Sequence, residues 1–116
     1  MPHPIESPYM PTYYHAALED DRESIIQTGL RPSEAPECEC GMGVHVTESI
    51  VEARHWVGRL RNERDLYYAE FIIVEVTIDD SYEIVEDEFI GHGPNGLIIC
   101  TDSPVPPENV GIVEWL

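Results

Sequence analysis

A chain of 116 residues, 42% of them hydrophobic, is long enough for one packed core and too short for two. Its 23 Asp and Glu face six Arg and no Lys, and the net charge of −17 excludes docking on anionic membranes and general nucleic-acid binding at low salt. No apolar run approaches a membrane span, and residues 1–13 lack the basic start and apolar stretch of a secretory signal, so a cytoplasmic chain is expected.

Pro2, Pro4, Pro8 and Pro11 predict an extended arm over residues 1–11, ahead of a single domain over 12–116. Thr12 to His15 is β-prone and predicts a short first strand. Leu18 to Thr28 predicts a helix, with acidic residues in its first turn, Leu18, Arg22, Ile25 and Ile26 on one face, and Gly29 placed to end it. Residues 31–43 carry two prolines and two glycines without apolar period and predict a loop. Val44 to Val46 predicts a second short strand.

Ser49 and Glu52 have capping-box spacing, and Ile50, Val51, Ala53, Val57 and Leu60 recur at helical spacing to about Arg61. Tyr67 to Ile78 is the strongest strand signal: Ile72, Val74, Val76 and Ile78 form a uniformly apolar face opposite Phe71, Ile73, Glu75 and Thr77. Residues 81–89 predict an extended edge, 91–96 a loop, 97–101 an apolar strand, and 110–116 a last strand after Pro104, Pro106 and Pro107. The pattern predicts an α+β fold: one compact domain with a mainly antiparallel sheet and two main helices.

Cys38, Cys40 and Cys100 are too few for a disulfide framework, and Cys38-x-Cys40 lacks the spacing of a zinc knuckle. Free loop thiols at 38 and 40, a core thiol at 100 and no metal site are the expectation; a small metal site built from Cys38, Cys40 and a histidine is the weakest alternative. The acidic run over residues 83–88 reads as a solvated strand face. A lysine-free acidic surface also suits a high-salt cytoplasm, where charge is screened.

Several segments, in order, resemble the ADP-ribosyltransferase fold, and among its members the RNA 2′-phosphotransferases of tRNA splicing. Tyr14-His15-Ala16-Ala17 is similar to the Y-H-G-T strand end, Gly29-Leu30-Arg31-Pro32 to the following GL.P segment, and Val44-His45-Val46 to the second strand, which reads V-H-L in the phosphotransferases. Ala53 with Val57-Gly58 resembles the next helix, Val74-Glu75-Val76 the central strand, residues 95–101 the "DNGV.LT" strand, and residues 106–110 the closing "PP..I". Ala16-Ala17 departs from G-T, and about eleven residues precede the first expected strand where the phosphotransferases carry an N-terminal lobe.

The resemblance implies a split sheet with NAD⁺ in the cleft where it splits, and His15 and His45 on adjacent central strands facing that cleft. His15 is then expected to bind the adenosine ribose and His45 to lie at the nicotinamide end. Leu97, with Asn95 near it, stands where other transferases carry a catalytic Glu, giving the His-His-hydrophobic pattern of the phosphotransferases. These use a 2′-phosphate as nucleophile on NAD⁺; such a group is already ionised and needs no carboxylate base. Arg61, then Arg59, are the residues expected to hold phosphate, within the set Arg54, Arg59, Arg61 and Arg64. The implied activity is ADP-ribosyl transfer from NAD⁺ onto a nucleotide or RNA phosphate, with a protein acceptor also open. The alternative is an inactive module of the same fold that meets a basic protein partner through its acidic surface.

Overall fold

Cross-strand pairing sets the first element. In the computed structural model, which describes residues 10–87 and 96–116, β1 runs over Thr12–Leu18, three residues beyond the expected strand end. Its whole length pairs antiparallel with β4 (Phe71–Thr77), from Thr12 opposite Thr77 to Leu18 opposite Phe71. Ala16, Ala17 and Leu18 thereby gain Ile73, Ile72 and Phe71 as partners, which outweighs the local helical tendency at Leu18. A 3₁₀ turn at Glu19–Asp21 follows, and α1 is confined to Arg22–Thr28.

Gly29 ends α1 with φ of 84°, a left-handed conformation that glycine adopts without steric cost. The chain then passes against Val105: Leu30 and Val105 exchange both main-chain hydrogen bonds, at 3.0 and 2.9 Å, and a Cβ at position 29 would lie 1.8 Å from the Val105 oxygen. The expected loop over 31–43 contains β2 (Ser33–Glu34), which pairs with β3 (Met42–Thr47).

Ser49 caps the second helix, but the reciprocal half of the expected capping box is replaced by a bond from the Ser49 hydroxyl to Glu52 Oε1 at 3.2 Å. Glu52 N–H donates to Ser49 Oγ at 3.2 Å, and α2 runs over Ile50–Glu63. The remaining strands are β5 (Glu83–Glu86), β6 (Gly96–Cys100) and β7 (Val110–Trp115), the last preceded by a 3₁₀ turn at Pro107–Asn109. All but two residues of the arm expected over 1–11, and the loop expected over 91–96 apart from Gly96, lie outside the described residues.

The strands form one antiparallel sheet in the order β5-β6-β3-β1-β4-β7, with β2 on β3. Its weak seam is in the middle. β3 pairs with β6 over five residues and β1 with β4 over seven, but β1 and β3 share a single pair, Tyr14 opposite Thr47. The described residues thus fold as an α+β domain with two helices.

The main core lies on one side of the sheet. Ile72, Val74, Val76 and Ile78 meet Val44, Val46, Ile99, Ile25 of α1, Leu30 and Val105 there. Each such side chain taken from water stabilises the fold by roughly 1.5–3 kcal/mol. The opposite face of β4 is buried as well: Phe71 and Ile73 are no more exposed than their neighbours, because α2 packs across β1, β3 and β4 with Ala53 and Val57 buried.

A second, smaller core of Ala35, Cys38 and Ile98, with Val85 and Cys100 against it, sits beneath the 35–41 loop. The expectation of free thiols at 38 and of a simple core thiol at 100 is corrected here. Cys38 and Cys100 are joined by a disulfide, with Cα atoms 5.6 Å apart, and only Cys40 is a free, exposed thiol. The loop folds back along β2 and β3 until Cys38 sits over β6, a proximity set by sheet order and not by spacing in the sequence.

Candidate functional site

The seam between β1 and β3 opens onto a cavity of about 940 Å³, at the upper end of the ~300–1,000 Å³ typical of small-molecule sites. The β1–β3 seam supplies its floor, including Tyr14, His15, His45 and Thr47, and α2 supplies a wall through Trp56 and Arg59. Ser33 of β2, Asp87 and Gly96 complete the rim.

His15 and His45 stand on neighbouring strands and both line this cavity, but their rings leave the sheet differently. His15 lies opposite Val74, so alternation puts it on the main-core side of β1. His45 lies opposite Ile98, whose side chain belongs to the smaller core on the other face. The expectation of two imidazoles facing the cleft from one side of the sheet is therefore replaced. The His15 ring crosses the seam instead, and its Nδ1–H donates to the main-chain oxygen of His45 at 2.6 Å. Burial holds the His15 pKa below its ordinary value; the carbonyl bond and Asp21 pull upward, and His45 adds to the downward shift.

His45 has its own partner. Its Nδ1 is 2.8 Å from Oδ2 of Asp87, a carboxylate whose side chain is 3% exposed. Asp87 follows directly after β5, at the end of the acidic run that the sequence suggested was a solvated face. Ile84 and Val85 are half-buried, Glu83 and Glu86 are exposed, and Asp87 turns in. The only sequence signal for it is the change of alternation at the end of that run.

The arginines separate into different environments. Arg59 lies 5.0 Å over the Trp56 ring on the cavity wall and bonds Glu63 at 2.9 Å, and Arg64 also lines the cavity. Arg61 does not. Its guanidinium lies 5.3 Å over the Phe71 ring and donates to the main-chain oxygens of Ala69 and Leu116, at 3.0 and 2.9 Å. Its place, two residues past Arg59 on α2, turns it to another side of the helix, where it ties the chain end to the segment before β4. Arg54 is held by Glu114 through two bonds at 2.6 and 2.5 Å, outside the cavity wall. That pairing raises the arginine pKa and lowers the glutamate's.

Of the other expected site residues, Leu97 packs against the main core opposite Val46 and takes no part in the cavity wall. Asn95 lies outside the described residues, as does His92. No group of three or more metal-ligating side chains occurs among the described residues, and no described helix is long and apolar enough to cross a membrane.

No family model, curated protein or solved structure matches the chain.

Proposed function

We propose that the chain takes NAD⁺ as a substrate and transfers its ADP-ribosyl group to a phosphate-bearing acceptor, a nucleotide or an RNA end. One observation carries this reading. A cavity of ligand size sits where the four-stranded half of the sheet (β5, β6, β3 and β2) and the three-stranded half (β1, β4 and β7) are joined by a single residue pair, and both His15 and His45 line it. The resemblance of the sequence to ADP-ribosyltransferases implies a cleft at that seam with both histidines facing it; here both line the cavity, although their side chains leave opposite faces of the sheet.

The chemistry of the wall suits such a substrate. His15 is fixed through Nδ1 on the His45 carbonyl, and its second ring nitrogen is available to a ribose hydroxyl. Arg59 and Arg64 supply the cations that a pyrophosphate needs inside a chain of charge −17. The Arg59–Glu63 pair joins a mostly covered arginine to an exposed glutamate one turn along the helix and is worth about 0.5 kcal/mol, so a phosphate can displace the carboxylate at small cost. Trp56 offers an aromatic face beside Arg59.

A second reading, the inactive module with a basic protein partner, is favoured by Glu52, Glu63 and Asp87 on the same cavity wall. Calorimetric titration of NAD⁺ at low and molar KCl, followed by mass spectrometry for nicotinamide, separates the two. The transferase reading expects saturable binding in both salts and nicotinamide release once acceptor is added. No heat at either salt concentration would leave only the second reading.

A further inference from the structure

We infer that His45, oriented by Asp87, is a general base in the cavity, and that the group it activates is a hydroxyl of the acceptor. This rests on the transferase reading above and refines it: the acceptor's phosphate is a handle for Arg59 and Arg64, and its ribose hydroxyl is the nucleophile.

The geometry has three parts. His45 Nδ1 lies 2.8 Å from a carboxylate oxygen of Asp87, and a carboxylate can only accept, so Nδ1 carries the hydrogen. In the neutral ring this leaves the lone pair on Nε2. A buried carboxylate that fixes an imidazole's tautomer and balances the imidazolium is the arrangement that makes histidine an effective base. The Asp87 side chain is 3% exposed and the His45 side chain 38%, so the carboxylate end of the pair is shielded and the imidazole reaches solvent at the cavity. No described residue hydrogen-bonds His45 Nε2. An ionised phosphate has no proton to remove and gives such a pair nothing to do; a hydroxyl does.

The step balances. The acceptor O–H proton passes to His45 Nε2 as the oxygen bonds to the ribose carbon that carries nicotinamide. The bond from that carbon to the nicotinamide nitrogen breaks, its electron pair stays on nitrogen, and neutral nicotinamide leaves. The imidazolium, beside the Asp87 side chain, then releases its proton to water. A base in this role contributes about 10²–10⁴-fold.

Two measurements test this. Long-range ¹H–¹⁵N correlation spectra of the full chain read the tautomer directly. His45 is expected with hydrogen on Nδ1 in the parent, and relaxed towards a mixture of tautomers in Asp87→Ala with the other histidine signals unmoved. A parent ring protonated only at Nε2 would overturn the inference. Nicotinamide release is then measured with adenosine 5′-monophosphate and with its 2′,3′-dideoxy analogue, which keeps the phosphate and lacks the hydroxyls. The expected result is release with the first at least tenfold faster than with the second, and a roughly hundredfold loss in His45→Gln. Equal use of the two nucleotides, or an unaltered rate in His45→Gln with NAD⁺ still bound, overturns this inference and leaves the transferase reading standing. Failure of NAD⁺ to bind overturns that reading, and this one with it.

Discussion

The Nδ1 of His15 sits 2.6 Å from the main-chain oxygen of His45, so one candidate residue is positioned by the backbone of the other across the seam between β1 and β3. With only Tyr14 and Thr47 paired across that seam, this hydrogen bond is one of few that join the halves, and it makes the His15 ring part of the fold as well as part of the cavity.

That dual role has a pH signature. Burial lowers the folded pKa of His15 below 6.5, so the unfolded chain binds this proton more readily than the native one. The contribution of the neutral ring is complete above about pH 6.5 and is lost as pH falls through that value towards the lower folded pKa. His15→Asn keeps a donor near the Nδ1 position and does not titrate. Thermal melts from pH 8 to 5 should show the parent losing stability relative to His15→Asn on acidification. A constant difference between the two would contradict the burial of this ring.

Arg61 and Arg59 should give opposite phenotypes. Arg61→Ala removes two hydrogen bonds to main-chain oxygens and a contact with the Phe71 ring, at an expected cost of about 1–3 kcal/mol, with NAD⁺ affinity unchanged. Arg59→Ala should cost less stability, about 1 kcal/mol, and weaken NAD⁺ binding, since its partners on the protein are an exposed glutamate and the Trp56 ring. Melting curves and calorimetry on the pair decide this. Loss of nucleotide affinity in Arg61→Ala at unchanged stability would reinstate Arg61 at the site.

The disulfide can be counted. Cys38 and Cys100 are 62 residues apart, and closing a loop of that length stabilises by about 4 kcal/mol in the chain-entropy description, with engineered and natural bridges often giving 2–4. Thiol titration of the denatured, unreduced chain should find one thiol, from Cys40, and three after reduction. Reduction should lower the denaturation midpoint, and three thiols before reduction would contradict the bridge.

The surface charge sets the response to salt. A net charge of −17 on 116 residues repels itself most at low ionic strength, where the Debye length of about 10 Å at 0.1 M has not yet contracted to about 3 Å at 1 M. The melting temperature should rise with KCl up to molar concentrations. A flat or falling trend would contradict a chain suited to high salt.

What was legible in the sequence was mostly local. The Ser49 N-cap and the Gly29 helix end depend on neighbours in the chain, and both stand where expected. The apolar face Ile72, Val74, Val76, Ile78 follows from strand alternation. What was missed depends on partners far along the chain. Leu18 is a strand residue because Phe71 pairs with it; Phe71 and Ile73 are buried because α2 covers the other face of β4. At the site, the placing of the two histidines on adjacent strands was an implication of the family resemblance and not of local pattern. The Asp87 partner of His45, 42 residues away, the Cys38–Cys100 bridge and the turn of Arg61 away from the cavity all needed the sheet order.

The most direct measurement on the central claim is a ¹H–¹⁵N correlation titration of the full chain with NAD⁺ at molar KCl. Binding at the seam predicts saturable shifts that cluster at the backbone amides of His15, His45, Thr47, Trp56 and Arg59, with Val105, Ile25 and Ile112 unmoved. Spectra unchanged by millimolar NAD⁺, or shifts confined to residues remote from the β1–β3 seam, would contradict it.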